Sequence, residues 1–137
     1  MGLINKFFEI LTLEEFDKTI ADLHSVSLLC IPRFGGRDED AVEFVLDIKI
    51  ARDAIGEIKR LVYGAGETDG AVDFERFPLE QYDETVAGMF GLEMVVIPSF
   101  AVEIGCDAVA EYAIACMIAK DAIIEIKQQV YGVERDV

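Results

Sequence analysis

The sequence predicts an α/β (or α+β) fold in which a strand–helix–strand–long-helix unit occurs twice and pairs about a pseudo-twofold axis. Three observations predict it. Residues 51–64 (ARDAIGEIKRLVYG) recur as residues 119–132 (AKDAIIEIKQQVYG) at an offset of 68, with ten of fourteen positions identical. Residues 11–34 recur as 77–100 at an offset of 66, keeping Leu13/Leu79, Glu14/Glu80, Asp17/Asp83, Thr19/Thr85, Ala21/Ala87 and Pro32/Pro98. Short apolar runs, LLCI and MVVI, end at those prolines and read as buried strands. A duplication this extensive settles the organisation before any single element does.

Each copy reads the same way. Residues 6–11 (KFFEIL) and 72–77 (VDFERF) are short and aromatic-rich, and are predicted as strands. Thr12 and Glu15 have capping-box spacing, which satisfies free N–H groups at a helix start. Pro78 takes the threonine's place in the second copy, where a first-turn proline is tolerated. The helix that follows presents Leu13, Phe16, Ile20 and Leu23, or Leu79, Tyr82, Val86 and Met89, as one apolar stripe, and is expected to end at Ser25 or Gly91. Strands over 26–31 and 92–97 complete a four-stranded sheet. Long helices are predicted over 38–63 and 104–131, with a heptad-like seam through Phe44, Ile48, Ala51, Ile55 and Ile58 and through Tyr112, Cys116, Ala119, Ile123 and Ile126. Gly64 and Gly132 suit the left-handed position just past a helix end. The change of offset from 66 to 68 places a two-residue insertion between Phe100 and the second long helix.

Residues 1–137 therefore read as one domain: repeat one over about 5–64, a Gly-rich linker over 65–70, and repeat two over about 71–132. A copy of this size buries too little surface to be comfortable alone, so the two are expected to pack as the single-chain version of a symmetric dimer. Ala51, Ala54, Ala119 and Ala122 are small enough to let the long helices approach closely.

The chain is 53% hydrophobic and carries a net charge of −15. Residues 1–66 hold 12 acids against 8 bases, and residues 67–137 hold 15 against 4. That balance argues against nucleic acid, whose phosphates need lysine and arginine. There is no apolar run of eighteen residues for a membrane span. The amphipathic start MGLINKFFEIL carries Lys6 as its one cation and fails the myristoylation pattern at that position, so no membrane contact is expected. Cys30, Cys106 and Cys116 are an odd number without CxxC spacing, and Cys106 and Cys116 lie too far apart along one helix to bridge. A reducing cytoplasm is the expected location.

The catalytic inventory is thin. His24 is the only histidine, and no nucleophile–base set or zinc motif can be assembled around it. No metal site is expected, and no cofactor is implied. Two clusters stand out. The loop Arg33, Phe34, Gly35, Gly36 and Arg37 lies before a helix start, where arginines and bare backbone suit an anion. The acids Asp38, Glu39 and Asp40 at that helix start oppose such a ligand. Carboxylate rows run along both long helices, Glu39, Glu43 and Asp47 on the first and Glu103, Asp107 and Glu111 on the second. If the twofold brings them together they form a hard-cation site or an acid/base pair; otherwise they face water, or Glu111 pairs with an arginine such as Arg52. The second long helix is apolar nearly all round over 108–119, which requires cover on every side from the core or from an assembly.

The expectation is a non-catalytic, acidic interaction or assembly protein that binds a protein subunit or self-associates. The alternatives are a small-ligand or anion-binding domain using the Arg33–Arg37 loop and a small enzyme using the carboxylate rows.

Overall fold

The computed structural model describes residues 6–33, 38–64 and 73–132, with the side chains of all of these except 30–33 and 38–41. Every element in it is helical: α1 (Lys6–Ile10), α2 (Leu13–Arg33), α3 (Asp38–Tyr63), α4 (Leu79–Gly91), a π-helical stretch (Leu92–Val96), α5 (Ile97–Ser99), α6 (Ala101–Ile104) and α7 (Cys106–Tyr131). The predicted α/β fold is thereby overturned. No strand exists among the described residues, and none of the four expected strands forms.

Each correction has a local cause. Residues 6–10 form α1, which turns Phe8 fully inward and leaves Phe7 and Ile10 outside. From Asp73 onward, the second expected strand is a turn through residues 74–76, closed by the Phe77 N–H bonding to the Phe74 carbonyl. Ser25 does not end α2: the apolar period of three and four continues through Leu23 and Val26, both fully buried, so LLCI belongs to the same helix. Gly91 likewise keeps helical angles, φ −60° and ψ −41°, and the chain continues through it without a break, so MVVI is helical too. A short apolar run before a proline is equally consistent with either structure, and here helix won.

Pro98 explains the π-helical stretch. In a regular α-helix its ring would crowd the carbonyl four residues back and leave it without a donor. The turn widens instead, and the Ile97 N–H reaches the Leu92 carbonyl. In repeat one, α2 runs through Pro32 to Arg33 without a π-helical stretch. Between Phe100 and α7, where repeat two carries its two extra residues, α6 leads to Gly105, whose φ of +90° joins α6 to α7.

The long helices run as the pattern requires. Glu15 accepts from the Thr12 N–H at 2.9 Å while the Glu15 N–H bonds back to the Thr12 hydroxyl at 3.1 Å, closing the capping box. Gly64 and Gly132 adopt φ of +64° and +62° at the ends of α3 and α7. The short helices bury Phe16 with Leu23 and Tyr82 with Met89, but Leu13 and Leu79 are exposed. Thr19 and Thr85 are buried in these helices, and their hydroxyls donate to the carbonyls of Glu15 and Gln81 and so enter the core satisfied.

Packing reproduces the duplication. α2 lies on α3 and α4 on α7, and the pairs meet where α3 packs on α7; α2 also touches α7, and α3 touches α4. The same interactions occur in both halves. Lys59 pairs with Asp17 at 2.7 Å and Lys127 with Asp83 at 2.8 Å. Tyr63 donates to the Leu11 carbonyl and Tyr131 to the Phe77 carbonyl, each at 2.5 Å. Their rings meet Phe16 and Tyr82 edge-on with centroids 6.0 Å apart in both halves. Replacing either tyrosine by phenylalanine removes one such bond, at an expected cost of about 1 kcal/mol. Equal urea-midpoint losses in Y63F and Y131F, adding in the double variant, would express this equivalence; a markedly unequal pair would contradict it.

Candidate functional site

Two grooves on the bundle surface are copies of one another. One lies between α2 and α7 and is lined by Glu15, Lys18, Asp22, Glu111, Ile114 and Ala115, among others. The second, between α3 and α4, has Gln81, Glu84, Gly88, Glu43, Leu46 and Asp47 at the equivalent positions. Leu46 and Ile114 are about half exposed, at 51% and 52%, so each groove carries an apolar side chain on its rim.

Their electrostatics differ. In the α2–α7 groove Lys18 lies 3.0 Å from Asp22 and 3.6 Å from Glu111, and its hydrogen bond to Asp22 helps raise its pKa above the ordinary lysine value. The negative charges there are matched by an ammonium group of the chain itself. In the α3–α4 groove Glu84 stands where Lys18 would be, and Gly88 where Asp22 would be. The acid moves across the interface: Asp47 replaces Ala115, and its carboxylate lies against the backbone of Gly88, where any Cβ would collide with it. Among the described residues Glu43, Asp47 and Glu84 form no ion pair. Burial, with Glu43 and Glu84 adding repulsion, pushes the Asp47 carboxyl up to about 7.

The two carboxylate rows thus separate. Glu43 and Asp47 join Glu84 in one groove, while Glu111 pairs with Lys18 in the other, and not with Arg52. Asp107 is exposed in the first turn of α7, and Glu103 is exposed on α6. Glu39 lies in the first turn of α3, its side chain outside the described set; so is that of Arg33 at the end of α2, and Phe34, Gly35, Gly36 and Arg37 lie outside the described residues altogether. His24 is exposed on α2. Among the described residues no group of three His, Cys, Asp or Glu is placed to hold a metal ion. No described helix is long and apolar enough to cross a membrane.

No family model, curated protein or solved structure matches this chain. The site therefore rests on its own geometry. Sequence reasoning found Glu43 and Asp47 but missed Glu84 and Gly88. The signal was present in the repeat alignment, where Lys18 becomes Glu84 and Asp22 becomes Gly88; helix–helix contact was needed to join those changes to Asp47.

A further groove of about 580 Å³ lies near the C-terminal ends of α3 and α7, between Glu57, Asp73, Glu75 and Gln129. It contains none of the predicted residues. In the middle of the apolar stretch of the second long helix, Ile114 and Met117 are 52% and 46% exposed, so the chain itself does not cover that helix on every side.

Proposed function

We propose that this chain is a non-catalytic interaction module that binds a protein partner through apolar side chains set in an acidic helical surface. The observation that carries the reading is the exposure of Leu46 and Ile114, and of Leu28 and Met94 (56% each), at equivalent positions in the two repeats. Large aliphatic groups left in water at matched sites suit contact surfaces better than accidents of packing. The net charge of −15 makes a second copy repulsive and a cationic partner attractive. A general-base role for Asp47 has less support, because among the described residues its groove is lined by no histidine, nucleophile or cation.

Sedimentation at low and high salt, with co-purification from native cells, tests the proposal. The expected result is a monomer that retains a protein at low salt and releases it as salt rises. The L46E/I114E double variant should lose that protein. A monomer that retains nothing at low salt, or a double variant that retains as much as the parent chain, would overturn the reading. A stable homodimer would replace the cationic partner by a second copy.

A further inference from the structure

We infer that the groove between α3 and α4 docks a lysine or arginine side chain carried on an apolar segment of the protein partner, in the position that Lys18 fills in the equivalent groove. The inference rests on the interaction reading above and names the partner's chemistry. Its ground is an internal comparison. Seven positions of one groove map onto seven of the other under the repeat: Glu43/Glu111, Leu46/Ile114, Asp47/Ala115, Ile50/Ile118, Gln81/Glu15, Glu84/Lys18 and Gly88/Asp22.

The copy between α2 and α7 shows what this surface does with an ammonium group: it holds it between a carboxylate of the short helix and one of the long helix. The copy between α3 and α4 also has a carboxylate from each helix, Glu84 and Glu43, adds Asp47 beside them, and has no cation of its own among the described residues. It is also roomier, at about 500 Å³ against about 270 Å³ where Lys18 lies. Leu46 on the rim and Ile50 beside it supply apolar surface for the methylene stem and its neighbours. A cation there relieves the repulsion among three carboxylates and completes a contact the chain makes once by itself. Free metal is the poorer occupant, since these acids are not placed as a ligand set.

The experiment is an NMR titration of the isotope-labelled chain with a short amphipathic helical peptide bearing one lysine on a leucine face. The controls are the same peptide with glutamine for lysine, and calcium chloride. The lysine peptide should shift the backbone amides of Asp47, Glu84 and Gly88 saturably, with the glutamine peptide weaker by about tenfold or more. In E84K the chain supplies its own lysine, so binding should vanish, while E75K, of equal net charge, should bind like the parent chain. E84K should also melt no lower than the parent chain at neutral pH.

Equal loss in E84K and E75K would reduce the effect to general attraction and overturn the inference. So would saturable shifts with calcium but not peptide, or no saturable shift at Gly88. If the peptide binds the parent chain and E84K alike, with shifts around Ile114 and Met117, the groove inference falls and the interaction reading stands.

Discussion

Replacing Ala119 by leucine should destabilise the chain by about 1–3 kcal/mol, and adding Ala51→Leu should cost at least as much again. Ala51, Ala54, Ala119 and Ala122 are all 0% exposed, and they belong to α3 and α7, two helices that pack on each other. Small side chains let two helices approach closely, so the added atoms of leucine have no space unless the helices separate. Separation would also loosen Ile55 and Ile123, which are fully buried on the same seam. Ala110 is the control, because it is exposed on α7 and leucine is nearly as good a helix former there. Urea unfolding followed by circular dichroism should show a lower midpoint for A119L and a near-unchanged one for A110L. Equal midpoints would mean that the alanines do not form a tight contact.

Acidification from pH 8 toward pH 5 should stabilise the protein, with Asp47 the largest identified contributor. Its carboxyl titrates near 7 in the folded chain, because of burial first and Glu43 and Glu84 second, and near 3.8 when unfolded. Between those values the folded state holds a proton that the unfolded state lacks, so stability falls as pH rises through about 7 and is greatest below the unfolded pKa. The linkage value for a fully buried group would be roughly 4 kcal/mol. Asp47 is partly open to solvent, and screening reduces the expected effect to about 1–2 kcal/mol. Asp47→Asn should remove this part of the slope and exceed the parent chain in stability at pH 8. Asp121, raised by burial and by Glu93 against the opposing pull of Lys120, keeps a smaller dependence of the same sign. Urea midpoints measured from pH 5 to 8 check both chains; parallel curves would exclude Asp47 as the source.

Much of the molecule was legible where a signal was local and repeated. The ends of α3 and α7 follow from their seams and from Gly64 and Gly132, since a left-handed C-terminal residue strongly favours glycine. The capping box at Thr12 and Glu15 is equally local. LLCI and MVVI were misread because a four-residue apolar run has no period of its own; its assignment depends on what covers it. Part of that surface is not covered: Leu28 and Met94 are 56% exposed and Val95 67%, which a strand buried on both faces would not allow.

The same division runs through the candidate site. By itself the sequence determined that the chain is two copies of one unit, that their long helices carry a small-residue seam, and that Glu43, Asp47 and Glu111 share a spacing. It also recorded, unread, that Lys18 and Asp22 give way to Glu84 and Gly88. Only the tertiary structure decided that α3 meets α4 while α7 meets α2. That crossed pairing places Asp47 against Gly88 and Glu111 against Lys18, instead of placing the two carboxylate rows together. The reason is physical: spacing along a helix fixes which residues share a face, whereas the partner of that face is chosen by how all the helices bury their apolar stripes together.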